Sequence, residues 1–440
     1  MSTLDELTVP KIEQTGPLAA DEFVYVDISS VDNKTKRIVD PKRLLVTEAP
    51  SRARQRLRAG DVLVSMTRPN LNAVAMVPPE LNGAIGSTGF HVLRAKDDVD
   101  PRWLFNAVQS RDFVQTMEDF VQGALYPAVR PKDIRGYELH APPLAEQRRV
   151  LDEIEKQFSR LDRAVANLLR VKANLKRYKA SVLKDAVEGR LVPTEAELAR
   201  REGRSFETGE QLLQRIEGEQ RRAWKGKGPF KSLTPLITSP SPDLPPGWIW
   251  ATANQICGQI TDGEHIQPRY QEVGQPMLTA KNVRDGYVTF DNAGLIAEVD
   301  FQNCLKRCAP IEGDILIVSV GATTGRSAIV GPAKPFALVR SVLLLKPLIP
   351  SRYLLSVIQS STCQTYIQRA SGSTAQAHLY IKDTRTLPIP IPPLAEQERI
   401  VAEVDRRLSL VQGVELAVDA DLKRAQGLRQ SVLSKSFMVL

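Results

Sequence analysis

The sequence predicts an α+β protein in which one mixed strand-and-helix domain followed by one long helix is written twice. Three observations predict it. Pro142-Pro143-Leu144-Ala145-Glu146-Gln147 returns 250 residues later as Pro392-Pro393-Leu394-Ala395-Glu396-Gln397. Further matches fall at the same offset: Arg102-Trp103-Leu104 with Arg352-Tyr353-Leu354, Lys132-Asp133 with Lys382-Asp383, and Ser181-Val182-Leu183 with Ser431-Val432-Leu433. Behind each hexapeptide runs an apolar series with helical spacing. A hexapeptide can recur by chance, but a collinear series over roughly 125 residues marks an internal duplication.

The duplication sets the boundaries: a first domain over 1–142, a first long helix over 143–190, a connector over 191–242, a second domain over 243–392 and a second long helix over 393–440. A chain of 440 residues suits two or three domains. Residues 57–66 align with 311–320, where Gly-Asp turns lead into the apolar runs Val62-Leu63-Val64 and Ile315-Leu316-Ile317-Val318, read as strands. Val342-Leu343-Leu344-Leu345 reads the same way. Trp103–Met117 and Tyr353–Gln368 read as helices, with apolar residues three to four apart. The connector holds a short helix opened by Thr208 and ends in a Pro/Ser/Gly-rich linker. The second domain opens on Leu244-Pro245-Pro246-Gly247-Trp248, which has no counterpart in the first. Either residues around Val9–Ile12 replace that first strand or the start is truncated.

Each long helix starts on Pro-Pro, where proline needs no N–H donor and the following Glu sits at the positive end of the helix dipole. In the first, Ile154, Phe158, Leu161, Val165, Leu168, Lys172, Leu175, Lys179 and Val182 step alternately by four and three. In the second, the same steps select Val404, Leu408, Val411, Glu415, Val418, Leu422, Ala425, Arg429 and Val432. Sustained alternation of this kind is a coiled-coil seam. A narrow apolar stripe on a helix of about 67 Å needs a partner, and the other copy is the simplest one. Antiparallel pairing sets Ile154 against Val432, Leu168 against Val418, Leu175 against Val411, and Lys172 against Glu415, a cation opposite an anion.

Lys and Arg exceed Asp and Glu by 59 to 51. Residues 34–68 hold ten Lys/Arg against Asp40, Glu48 and Asp61, the clustering that phosphate binding needs. No cationic-then-apolar leader and no long apolar run occur, so a cytoplasmic location without a membrane span is expected. Cys257, Cys304, Cys308 and Cys363 have no paired spacing and read as free buried thiols rather than metal ligands. No catalytic or metal-binding constellation is expected. Gly321–Ser327 lacks the spacing and the lysine of a phosphate loop and reads as a turn. Glu-x-Lys nuclease and Asn/Asp-Pro-Pro-aromatic methyltransferase motifs are absent, and His91, His140, His265 and His378 are scattered.

The two hexapeptide helix starts, the Leu-Pro-Pro-Gly-Trp opening, Gly313-Asp314-Ile315-Leu316 with its echo at Gly60–Leu63, and Ile260-Thr261-Asp262-Gly263-Glu264-His265 carry a resemblance. Over essentially the whole chain, the plan resembles the specificity subunit of type I restriction–modification systems. The resemblance implies two similar target-recognition domains, each reading half of a bipartite double-stranded DNA site. It implies two long helices paired as an antiparallel coiled coil that sets the unread gap. It also implies docking of two methyltransferase subunits and of restriction/translocase subunits. S-adenosylmethionine, ATP and Mg2+ would belong to those partners, with no cofactor in this chain and no catalysis by it. A coiled-coil scaffold or adaptor without DNA contact is the alternative class, and an orphan recognition subunit of another DNA methyltransferase a milder one.

Arg, Asn, Gln and His read base edges, whereas Lys mainly holds phosphates. On that chemistry the expected DNA-contacting residues of the first domain are Lys34, Lys36, Arg37, Arg52, Arg54, Arg68 and Asn70. In the second they are His265, Gln267, Arg269, Lys281, Asn282, Arg284, Thr324, Arg326 and Gln376.

Overall fold

A computed structural model describes residues 1–17, 22–121, 127–224, 243–266, 269–372 and 377–437. The chain divides into two units, Met1–Val171 with Ala417–Leu440, and Lys172–Leu416.

In the first unit, strands Phe90–Leu93, Val62–Ser65 and Val74–Met76 form an antiparallel sheet with Val62–Ser65 at its centre. That central strand is buried on both faces, as its unbroken apolar run requires. A second sheet orders Lys42–Leu45, Glu22–Val26, Ile85–Ser87 and Ala53–Arg56, with a parallel pair in the middle. The first strand is Ser2–Thr3, paired with Glu138–Leu139 and followed by a short helix, Leu4–Leu7. Residues Val9–Ile12 do not form that strand. The counterpart in the second unit is Ile249–Thr252 on Pro388–Ile391, followed by Ala253–Ile256.

The second unit repeats this plan. Strands Cys257–Asp262, Val342–Pro347, Ile315–Val318 and Ser327–Ile329 form one antiparallel sheet. Tyr270–Gln271, Gly294–Ile296, Gln275–Leu278 and Ala337–Leu338 form another, again with one parallel pair. Buried ion pairs recur at matching places: Asp61 with Arg94 at 2.7 Å, and Asp314 with Lys346 at 2.6 Å. Each carboxylate also accepts the N–H three residues upstream, closing the Gly-Asp turn before the central strand.

The helices expected over Trp103–Met117 and Tyr353–Gln368 are each broken in two. They run Pro101–Ala107 then Arg111–Asp119, and Ser351–Gln359 then Ser361–Ser371. Ser110 and Ser360, 250 residues apart, cause the breaks. Each is extended and caps the next helix by accepting a backbone N–H, from Phe113 at 3.2 Å and from Cys363 at 3.3 Å. Among its described residues the connector holds two helices. Gly209–Ala223 is capped by Thr208 as expected, and Glu195–Glu202, capped by Thr194, was not foreseen.

The long helices run Leu144–Val187 and Leu394–Phe437. Their starts are locked identically: Gln147 and Gln397 are buried and donate to the Pro142 and Pro392 carbonyls at 2.8 and 2.9 Å. In the first unit Ile154, Val418 and Ala425 are buried, and Phe158, Leu161, Val165, Leu168, Leu422, Arg429 and Val432 half-buried. The Arg429 guanidinium lies 4.2 Å from the centre of the Phe158 ring and bonds Asp162 at 2.7 Å. Phe437 closes this unit against Trp103, ring centres 4.6 Å apart. In the second unit Val182, Val404 and Val411 are buried, and Leu175, Lys179, Leu408 and Glu415 half-buried. Lys172 departs from the seam and is exposed. Its exposed position keeps the ammonium out of the apolar stripe. The Glu415 carboxylate is engaged instead by Lys179, at 2.6 Å.

Candidate nucleic-acid interface

In the first unit the buried strand Val62–Ser65 runs into a turn that ends at Asn72. Arg68 and Asn72 both take left-handed backbone, at φ +50° and +44°. Left-handed backbone costs a residue with a Cβ roughly 1–2 kcal/mol. The matching position of the second unit holds Gly321, at φ +92°, which bears no such cost. The first unit thus keeps an exposed arginine at a position that favours glycine. Strain of this kind concentrates where a side chain is used.

The turn is pinned by Arg68 N–H to the Pro127 carbonyl at 2.8 Å and by Met66 N–H to Gly89 at 3.0 Å. Lys36 reaches it from the hairpin Val31–Asp32/Arg37–Ile38 and donates to the Asn72 carbonyl. Burial pulls the Lys36 ammonium down to about 8, against the attraction of Asp32. Lys34, Lys36 and Arg37 on the hairpin therefore stand beside the turn carrying Arg68 and Asn70. Arg52 joins through its carbonyl, which accepts Thr88 N–H at 2.9 Å next to Gly89. Arg54 is exposed on the following strand. Lys42 is neutralised by Asp27 at 2.8 Å and Arg58 by Glu13 at 2.9 Å. By contrast, Lys34, Arg37, Arg52, Arg54 and Arg68 have no carboxylate within ion-pair distance among the described residues.

In the second unit the corresponding turn is closed by Thr324, whose hydroxyl donates to the Gly321 carbonyl at 2.7 Å. Thr324 is therefore occupied in the turn. Gly286 N–H bonds Ser327 O at 3.0 Å, laying the turn of exposed Arg284 beside Arg326, which lies 3.6 Å from Asp285. Lys281 is exposed, but its neighbour Asn282 is only 3% exposed. The Asn282 oxygen accepts from Thr279 N–H and hydroxyl, and its amide donates to the Thr289 and Asp291 carbonyls. With both ends of the amide used, Asn282 has no edge to offer a base; its role is structural. His265 is exposed, with Nε2 2.8 Å from Asp262. Arg269 is exposed, while Gln267 and Gln376 lie outside the described residues.

The structure adds residues that sequence reasoning missed. Arg307, at the end of helix Glu298–Arg307, bonds Asp262 at 2.5 Å and approaches His265 Nε2 at 3.1 Å. Only the tertiary fold joins a helix end to a loop 42 residues earlier. Exposed Arg340 is held beside that loop by donating its N–H to Glu264 O at 2.9 Å. His378 stacks on exposed Tyr380 at 4.1 Å, with Lys382 over the tyrosine ring at 5.6 Å. In the sequence Lys382 marks only the repeat of Lys132-Asp133, and nothing there joins it to the aromatic beside it.

All four cysteines are buried and free. Burial pushes the thiols of Cys308 and Cys363 up to about 12, so both stay protonated. Among the described residues no group of His, Cys, Asp and Glu is arranged to hold a metal, and no helix is long and apolar enough to cross a membrane.

In both units the strand after the Gly-Asp turn thus leads into a turn with cationic side chains beside it. Residues 267–409 match the type I restriction modification DNA specificity domain. The specificity subunit of the type I restriction enzyme EcoBI of Escherichia coli is 27% identical over 304 residues, 68% of this chain and 57% of that protein. The EcoKI specificity subunit of Escherichia coli strain K12 is 21% identical over 79% of this chain and 67% of its own length. A chain solved in a structural study of complex assembly and conformational transition of the type I R-M system is 28% identical. It superposes with a TM-score of 0.70, over 99% of this chain and 96% of that one. The chain is thus similar to the specificity subunits of type I restriction–modification systems. The matched region spans little more than half the length of the EcoBI subunit.

Proposed function

We propose that the chain is a sequence-specific DNA-binding subunit that recognises a bipartite double-stranded site, each unit reading one half. One observation supports this reading: the same buried strand in both units leads into a turn with cationic side chains beside it, Lys34, Arg37, Arg52 and Arg68 in the first unit and exposed Arg284 with half-buried Arg326 in the second. In the first unit Arg37, Arg52 and Arg68 have no carboxylate within ion-pair distance among the described residues. Arg68, Asn70, Arg284, Arg326 and His265 offer donors to base edges, and Lys34 and Lys281 offer charge to phosphates. The two half-sites differ because the repeat preserves the core strands and helix starts while these surface residues differ.

In the same reading the long helices run as an antiparallel coiled coil that fixes the gap between half-sites, and methyltransferase and restriction/translocase subunits dock on the chain. The exposed Leu410, Val414 and Leu416 of the second helix support a docking role, since a solvated helix face does not favour them. Chemistry then belongs to the partners, with their S-adenosylmethionine, ATP and Mg2+, and this chain needs no cofactor.

Mapping methylated bases in cells carrying the complete system tests the proposal. Replacing residues 1–142 by another recognition domain should change one half-site and leave the other. A change in both, or binding by the purified complex that is insensitive to salt, overturns it in favour of an adaptor that does not read DNA.

A further inference from the structure

Each unit also presents a hairpin beside its turn, and the two copies share too little sequence to be matched without the structure. In the first unit Val31 pairs with Ile38, and the Val39 N–H donates to the Ser30 carbonyl at 3.0 Å. In the second, Val283 pairs with Val288, and the Thr289 N–H donates to the Asn282 carbonyl at 2.9 Å. Val31 packs in the apolar cluster of Leu63 and Ala75, and Val283 in that of Leu316 and Ala328. Those are paired residues at matching places of the central sheets, so the hairpin is one element in two versions.

Alternation decides which side chains it presents. Neighbours along a strand point to opposite faces, and cross-strand partners share a face. With the valines and Ile38 turned to the core, the next pair turns outward. In the first unit that pair is Asp32 with Arg37. In the second it is Arg284 with Tyr287, joined by the Arg284 N–H to the Tyr287 carbonyl at 2.9 Å. Left-handed Gly286, at φ +92°, lets Asp285-Gly286 close that shorter hairpin.

Tyr287 thus holds the place of Arg37, and its ring is 61% exposed. A ring so exposed contributes little burial to the fold. Around it stand exposed Lys281 and Arg284, with Arg326 beyond Asp285. These cations favour an anionic surface, and the major groove of duplex DNA admits a two-stranded ribbon of this kind. Along the base edges of that groove the one apolar group is the thymine 5-methyl.

We infer, resting on the DNA-reading role above, that Tyr287 is a specificity-determining residue whose ring packs on a thymine methyl in the second unit's half-site. Arg284, on the same face of the hairpin, bonds the edge of an adjacent base. The first unit has Arg37 at this place and makes no such methyl contact.

The test uses the purified complex and duplexes carrying the mapped site, read by fluorescence anisotropy. Deoxyuridine replaces each thymine of the second unit's half-site in turn, on either strand, which removes the methyl and keeps the pairing edge. At one position the parent complex should lose about fourfold in affinity, the worth of one buried methylene-sized group. Tyr287→Ala should bind the thymine duplex at least that much more weakly and ignore the replacement, while melting like the parent. Tyr287→Phe, which keeps the ring, should behave as the parent does. A half-site without thymine, or a parent indifferent to deoxyuridine throughout, overturns the inference. So does a Tyr287→Ala complex as sensitive as the parent, and so does loss of the effect in Tyr287→Phe, which would assign the contact to the hydroxyl. Salt-insensitive binding by the parent would overturn the DNA-reading role, and the inference with it.

Discussion

Arg68 offers a test in which stability and binding should move in opposite directions. Its backbone lies at φ +50°, and its N–H bonds the Pro127 carbonyl at 2.8 Å, a bond that any residue keeps. Arg68→Gly removes the steric cost of left-handed backbone, about 1–2 kcal/mol. Glycine's greater freedom in the unfolded chain takes back about 0.5–1 kcal/mol. The net expectation is a gain of about 0.5–1 kcal/mol in urea unfolding. In DNA binding the variant loses one cationic contact, which should lower the slope of log affinity against log salt by about 0.9. Over a fourfold rise in salt, that makes the parent chain about 3.5-fold more salt-sensitive than the variant. The assays are urea denaturation and anisotropy titrations with a cognate duplex at several salt concentrations. A more stable variant with unchanged affinity and slope would refute the interface reasoning. A less stable one would refute the argument from strain.

Three further outcomes are expected. Lys36 should make DNA binding fall as pH rises from 7 to 9, because its pKa of about 8 leaves it charged below that value and neutral above it. Lys36→Arg should flatten that dependence, and an identical pH curve would remove Lys36 from the interface. Glu195→Gln should destabilise the second unit by roughly 1–3 kcal/mol, since it leaves Arg399 and Arg204 without their shared anion while both can still reach water. Burial alone would raise the Glu195 pKa, but the two guanidiniums hold it below 4.5. The stabilisation is therefore present above pH 4.5 and fades as pH falls through the lower folded value, which thermal melts against pH would show. Asn282→Ala should cost about 1–3 kcal/mol in chemical unfolding, because the Thr289 and Asp291 carbonyls lose their donor and Thr279 its acceptor. A change within 0.5 kcal/mol would mean that the loop holds without it.

The long helices were legible because their chemistry is periodic. Steps of four and three select one stripe whatever lies opposite, and Ile154, Val404, Val411 and Val418 are buried in it. Lys172 escaped that logic, because periodicity assigns a position and not the cost of dehydrating what stands there. The two helix breaks were legible only in hindsight. Ser110 and Ser360 sit inside stretches whose apolar spacing reads straight through them, and a capping hydroxyl carries no periodic signal. Among the expected contact residues, type and local charge picked out exposed Arg37, Arg68 and Arg284, but also Asn282. An amide spent on backbone carbonyls looks, in a sequence, like one free to read a base.

The sequence by itself determined what repeats: the offset of 250 residues, the two helix starts with their buried glutamines, and the strands behind each Gly-Asp turn. Repetition along the chain needs no coordinates to be seen. Only the tertiary structure decided what each copy is used for. It set Arg68 in the backbone position where the other copy has Gly321, and joined Arg307 to Asp262 and His265. Those differences arise from contacts between segments far apart in the chain, and pairwise packing in space leaves no period in the sequence to read.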